Sequence, residues 1–239
     1  MLGSTNDEAM ARARSGDPGH LWITAQEQTS GKGRLGRQWV SAPGNLYASL
    51  LLIDPAPPAF APRLGFVAGL ALARTLAPLL GDAVRLKWPN DAVVEGAKIA
   101  GILLEATQTS DARLACVIGI GINCAHHPRD LPYAATDLAS LGISTRAEDV
   151  FASLARELAL VLEIFDEGRG FGAIRAAWLG YAAGLGEPIR VLRAGQSLEG
   201  LFNGLDANGR LLLQTQEGLQ TIDAGDVFLG PSARNPQDQ

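Results

Sequence analysis

Three positive charges sit inside a glycine repeat near the start of this 239-residue chain. In "TSGKGRLGRQW", Gly31, Gly33 and Gly36 alternate with Lys32, Arg34 and Arg37, and Trp39 closes the run. Glycines let backbone approach a phosphate, and Lys and Arg supply the countercharge. No Asp or Glu occurs from Gln28 through Ile53, although the chain has a net charge of −5. A clamp on a phosphorylated or adenylylated group fits this pattern. A dinucleotide site also spells G-x-G-x-x-G, but it opens a helix. Here only "RQWVSAPGN" separates Gly36 from the next apolar run, with Pro43 and Gly44 inside it, so a helix has no room. A plain solvated loop is the remaining reading. The local absence of acids and the indole at Trp39 weigh against it.

Two further groups could do chemistry. In "KWPND", Lys87 ends an apolar run, and Asn90 and Asp91 follow in a turn. Asn can read a base edge and Asp can hold Mg²⁺ through oxygen, although a turn capped by Asn and Asp explains the same residues. In "AKIAGILLE", Lys98 precedes an apolar strand in which Gly101 leaves room on one face. That lysine could neutralise a buried carboxylate ligand, or be an ordinary strand-edge lysine. Cys116, Cys124, His126 and His127 are spaced for no standard zinc site and read as buried thiols with surface histidines. Nucleophilic serine chemistry lacks a G-x-S-x-G elbow.

The elements that must position these groups follow from pattern. "STNDEAMARARSG" predicts a helix with capping-box spacing at its start and Gly16 as its stop. "LWITAQEQ", "NLYASLLLID", "VRLKW", "KIAGILLEA" and "RLACVIGIGIN" predict strands. Residues 61–80 place Leu64, Val67, Ala68, Ala71 and 73–79 at roughly helical spacing. The segment carries Arg74 and Pro78 and reads as a buried helix rather than a membrane span. Phe151, Leu154, Leu158, Val161 and Phe165 mark an amphipathic helix, and a second follows over 174–181. From Gly184 onward, short strands alternate with turn signals, Asn208-Gly209 the strongest, and predict a small antiparallel barrel. The expected division is residues 1–183, 184–232 and a tail at 233–239.

Composition bounds the class. An apolar fraction of 47% supports a sizeable core, and the acidic balance argues against general nucleic-acid binding. Two cysteines and no visible signal peptide point to a reduced, cytoplasmic compartment.

Taken in order, "STND" (residues 4–7), "QTSGKGRLGRQW" (28–39), "KWPND", "KIAGILLE" and "GIGIN" (119–123) resemble the biotin–protein ligase family over nearly the whole chain. The resemblance implies an α+β fold, a mixed sheet packed with helices followed by a small SH3-like barrel. It implies ligation of biotin to a lysine of a biotin carboxyl carrier protein, through biotinyl-5′-AMP, with ATP and Mg²⁺. It assigns Ser4, Thr5, Asn6 and Gln28 to the biotin ring, and Gly31, Lys32, Gly33 and Arg34 to a flap over biotin and phosphate. Lys98 falls at the biotin carboxylate and α-phosphate, with Gly101 and the "GIGIN" run lining the pocket. Arg34, Arg37, Trp39, Lys87, Asn90 and Asn123 fall on the nucleotide side, and Asp91 on Mg²⁺. Lys98, Arg34 and Lys32 carry the catalytic roles.

The sequence departs from the family pattern in having Lys32 where Arg is commoner, which keeps the charge and loses the planar fork. Only Met1 to Gly3 precede "STN", where members carry a strand. The resemblance includes no DNA-binding segment, so repressor activity is not expected. A homodimer is compatible with the family. The rival readings are a lipoate–protein ligase and a non-catalytic biotin-binding or sensing module.

Overall fold

The computed structural model describes residues 1–193 and 195–230; the expected tail at 233–239 lies outside the described residues. The chain opens with α1 (Thr5–Arg14), whose N-cap Ser4 accepts a hydrogen bond from the Asp7 amide at 3.4 Å. Asp7 and Glu8 lie in its first turn and Arg12 and Arg14 in its last, each sign complementing the helix dipole. Six strands then form one sheet: β1 (Leu21–Ala25), β2 (Leu46–Ile53), β3 (Val84–Lys87), β4 (Asp91–Val94), β5 (Ala97–Gln108) and β6 (Leu114–Ile122). Their order is β1-β2-β6-β5-β4-β3, with every neighbouring pair antiparallel.

The nearly continuous apolar run of β2, interrupted only by Ser49, reflects burial on both faces. Leu46, Ala48, Leu50 and Leu52 join the main core, which also holds α2 (Leu64–Leu80) and α3 (Ala147–Phe165). Leu51 points the other way, into a small cluster with Ala9 and Ala13 of α1 and Ala115 and Val117 of β6. Residues 61–83 are long and apolar enough to cross a membrane, yet 61% of their most apolar window is buried in this fold. α4 (Phe171–Gly180) completes the helical layer, with Phe66 edge-on to both Phe171 and Trp178.

The structure departs from the sequence reading in one missed strand and at several element ends; β1 stops at Ala25 and α4 already starts at Phe171. β4 begins at Asp91, directly after the "PN" turn, where no strand is predicted: "DAVV" is too short for a period to show. α3 starts at Ala147, because Val150 already points into the core.

The second layer is β7 (Pro188–Arg193), β8 (Gln196–Leu205), β9 (Leu211–Thr215), β10 (Gly218–Ile222) and β11 (Asp226–Leu229), ordered β10-β9-β8-β7-β11 and antiparallel throughout, the arrangement of an SH3-like unit. The Asn208-Gly209 pair does turn β8 into β9, with the Asp206 carboxylate accepting from the amides of Asn208 (2.8 Å) and Arg210 (2.9 Å). This turn is also the joint to the first layer. Trp88 donates its indole N–H to Gly209 O at 3.1 Å, and Arg63 donates to Asn208 Oδ1 at 2.9 Å. Gly209 has φ +85°, and a Cβ there would meet the Phe66 ring at 2.5 Å.

Candidate active site

A cavity of about 390 Å³ opens on the sheet face away from α2 and α3, within the range of small-molecule sites. Its floor is made by glycines in register. Asp91, Gly101, Gly121 and Tyr47 form one rung across β4, β5, β6 and β2; Leu103, Gly119 and Ser49 form the next but one. The missing side chains make the space. A Cβ on Gly119 would stand 2.2 Å from Asn6 Oδ1, and one on Gly121 would stand 2.7 Å from two atoms of the Trp39 indole.

One end of the cavity is a hydrogen-bonding nest whose lining side chains, Ser4, Thr5, Asn6 and Gln28, are uncharged. Thr5 donates to Gln28 Oε1 through its amide (2.7 Å) and its hydroxyl (3.0 Å), and Gln28 Nε2 donates to Ser41 Oγ at 2.9 Å. The Ser49 hydroxyl lies 2.7 Å from Thr5 Oγ1 and 2.6 Å from Asn6 Oδ1. Asn6 Nδ2 donates to Glu105 Oε2 at 2.8 Å. Ser4, Thr5, Asn6 and Ser49 are all buried. Their side chains are fixed by one another before any ligand arrives, so the nest is preorganised for a small polar group. Leu2 lies beside Gln28 in a parallel bridge, so the short leading segment does extend the structure at this edge.

The other end is cationic. Lys98 Nζ lies 2.6 Å from Asp91 Oδ1, and Lys87 Nζ lies 3.3 Å from Asp91 Oδ2. The Lys98 contact is an ion pair set off the direction of a hydrogen bond, and Asp91 Oδ1 accepts none among the described residues. A β-bulge explains why Lys98 points here. Ala92 pairs with Ala100 while Val93 pairs with Lys98, so Ile99 is the extra residue. Ile99 and Ala100 both enter the core, and strict alternation from Gly101 would have buried Lys98 instead.

Residues 31–39 cover the cavity as a small folded lid. Gly33 N donates to Arg37 O at 2.7 Å and Trp39 N to Gly31 O at 2.9 Å, around a 3₁₀ turn at Arg34–Gly36. Arg34 donates to Asn90 Oδ1 at 2.9 Å, while Asn90 Nδ2 is anchored on Ile102 O at 2.8 Å. Lys32 pairs with Asp7 at 2.6 Å, and this hydrogen bond holds its ammonium above the usual lysine range. Arg37 pairs with Asp226 of β11, which likewise raises its guanidinium. The Trp39 ring lies 5.2 Å from Lys98 Nζ, and its indole N–H is buried with no acceptor among the described residues.

Most of the residues singled out in the sequence converge here: Ser4, Thr5, Asn6, Gln28, Lys32, Gly33, Arg34, Arg37, Trp39, Lys87, Asn90, Asp91, Lys98 and Gly101 all line the cavity. Two stand elsewhere. Gly31 lies behind the wall, where a Cβ would meet Trp39 O at 2.3 Å and Ser41 Oγ at 2.4 Å. Asn123 lines a smaller adjoining pocket with Trp39, Lys98 and Tyr133, and its amide is used on Thr136 O at 3.0 Å. Sequence reasoning missed Ser49, Glu105, Tyr133 and Asp226. Ser49 could have been found, as a polar residue inside the apolar run "YASLLLI". Asp226 could not, since 189 positions separate it from Arg37.

The biotin/lipoate A/B protein ligase family model matches residues 4–123, and that of the biotin protein ligase C terminal domain matches residues 184–230. The chain is 39% identical over 236 residues to a biotin–[acetyl-CoA-carboxylase] ligase of Paracoccus denitrificans, covering 95% of this chain and 97% of that one. The ligase of that name from Mycobacterium tuberculosis is 34% identical over 234 residues, covering 94% and 85%. A biotin protein ligase from Aquifex aeolicus, solved in complex with biotin and ATP, superposes with a TM-score of 0.83 at 26% identity, covering 96% of each chain. Both layers of the fold are accounted for by these matches, and this chain belongs to the biotin protein ligase family.

Proposed function

We infer that this chain is a biotin–[biotin carboxyl-carrier protein] ligase, which activates biotin with ATP and passes it to a carrier lysine. The observation that carries the reading is the polarity of one cavity, with a neutral hydrogen-bonding nest at one end and Lys98, Lys87 and Arg34 at the other. Biotin offers a polar ureido ring at one end and a carboxylate at the other, which matches that division.

In the first step a biotin carboxylate oxygen attacks the α-phosphorus of ATP, and the bond to pyrophosphate breaks. Two anions must meet, so the site has to cancel charge and hold them in line. Lys98 is the group assigned to the carboxylate and α-phosphate, Arg34 to the phosphate from the lid side, and Lys87 and Asn90 to the nucleotide. Trp39 packs toward the adenine. Ser4, Thr5, Asn6 and Gln28 hold the ureido ring, with Ser49 fixing two of them. A magnesium ion, when bound, would neutralise charge on the triphosphate. Asp91 is the residue that would hold it: it lines the cavity, one carboxylate plus phosphates is a usual Mg²⁺ set, and Lys98 and Lys87, which pair with its two oxygens here, would turn to the phosphates. In the second step the neutral carrier amine attacks the acyl carbon, the bond to AMP breaks, and the amine proton passes to solvent. Between the steps the lid keeps water from the mixed anhydride.

The proposal includes a division near residue 184, a cytoplasmic location, and action without DNA, in keeping with the net charge of −5. The test is mass spectrometry of a biotin carboxyl carrier domain incubated with this protein, biotin and MgATP. Addition of one biotinyl group to one lysine is expected. Lipoylation in its place, or ligand binding without pyrophosphate release, would overturn the reading.

A further inference from the structure

The three lid cations reach toward three different elements. Lys32 meets Asp7 in the first turn of α1, and Arg37 meets Asp226 at the start of β11. Arg34, between them, meets the neutral Asn90 side chain and forms no ion pair among the described residues. The outer charges are therefore cancelled by protein carboxylates, and the central one is left for the cavity.

We propose that Asp7 and Asp226 are positioning residues, the two catches that hold residues 31–39 shut and set how long the activated acyl nucleotide stays inside. The inference rests on the ligase reading.

Beyond the Arg34–Asn90 hydrogen bond, little else attaches the tip of the lid. None of the residues Arg34 to Gly36 is buried, and Leu35 at the tip is 79% exposed with φ +56°. The backbone bonds from Gly33 to Arg37 and from Trp39 to Gly31 shape the lid without joining it to its surroundings. The catches stand on opposite banks of the cavity. Asp7 follows Ser4, Thr5 and Asn6 on the wall that carries the hydrogen-bonding nest, whereas Asp226, Val227 and Phe228 form the wall supplied by the second layer. A lone carboxylate lining a site for phosphates would repel its substrate, but Asp226 is spent on Arg37 while the lid is closed. Both pairs are partly exposed, so they are weak and screened by salt. Weak, reversible ties suit a cover that must open once per turnover.

The experiment uses the full chain loaded with biotinyl-AMP made from biotin and MgATP. Release of the adenylate is followed after dilution into excess unlabelled biotin. Asp7→Asn and Asp226→Asn are each expected to speed release by about 2- to 5-fold, the range exposed ion pairs support, and the double variant by about the product. Asp226→Glu should restore slow release. Release from the parent chain should quicken as salt rises, while the double variant should respond little. A merely structural role would lower the melting temperature without flattening the salt dependence. A double variant that holds the adenylate as long as the parent, with the same salt response, overturns the catches and leaves the ligase reading intact. A parent chain that makes no adenylate overturns both.

Discussion

Gly101 of β5 lies directly opposite Gly121 of β6, and the indole of Trp39 occupies the space their side chains would have filled. A Cβ on Gly121 would come within 2.7 Å of Cε2 and Nε1 of that ring, and one on Gly101 within 3.2 Å of Cζ3. Two glycines in register thus make the seat of an aromatic ring carried by a loop more than 60 residues earlier in the chain. Neither glycine is needed for a turn. Both are needed for a close approach.

It follows that Gly121→Val should unseat Trp39 while leaving the sheet paired, since a valine suits a central strand. The expected outcome is a rise in KM for ATP of about tenfold or more, with a smaller change in biotin affinity, on the order of the energy of one lost aromatic contact. Isothermal titration with biotin and steady-state pyrophosphate release separate the two. An equal loss for both ligands would count against a nucleotide-side role for Trp39.

The opposite end gives the complementary case. Ser49→Ala removes the hydroxyl that lies between Thr5 Oγ1 and Asn6 Oδ1, leaving a buried oxygen short of the one proton it supplies. A cost of about 1–3 kcal/mol is expected for that loss, seen as a lower denaturation midpoint. Biotin affinity should fall with it, and Ser49→Thr should recover part. Gly119→Ala is the steric version, since its Cβ would stand 2.2 Å from Asn6 Oδ1. Unaltered biotin binding in both variants would remove Asn6 from the ring site.

These cases also mark what a sequence can carry. Helices α2 and α3 and the long strands were legible because burial imposes a period on ten or more residues. The lid, "KWPND" and Lys98 were legible as residue types at a spacing. The direction of Lys98 was not, because it depends on one bulge residue, Ile99, that reads like any other strand residue. β4 was too short to show a period. Arg37–Asp226 and Trp88–Gly209 join distant segments, and no local pattern encodes such pairs.

Lys98→Ala should abolish adenylate formation while the fold survives, because the side chain faces the cavity and not the core. A loss of about 10²–10³ in the rate of pyrophosphate release is expected, as for removal of one group that stabilises developing charge. Lys98→Arg should not restore it, since the fork would crowd the Trp39 ring, whose centroid lies 5.2 Å from Nζ. Transfer from chemically made biotinyl-AMP to a carrier domain should be less affected. Near-normal pyrophosphate release from Lys98→Ala would sink the assignment.

Three buried acids give the fold an alkaline limit that has nothing to do with the site's cations. Burial pushes the thiols of Cys116 and Cys124 up to about 11 from 9.0, and the Tyr47 phenol up to about 12 from 10.0. In the unfolded chain these groups lose their protons at lower pH than in the native state. Between about pH 9 and 12 the unfolded state therefore binds fewer protons, and stability falls as pH rises. At pH 8 both thiols stay protonated in the folded protein and should resist a thiol-directed alkylating reagent, reacting only after denaturant is added. A melting temperature followed from pH 8 to 11 should drop progressively, and Cys116→Ala with Cys124→Ala should flatten the part of the curve that begins near pH 9. A native protein whose thiols alkylate at pH 8 as fast as a short peptide would show that one of these strands opens on the time scale of the assay.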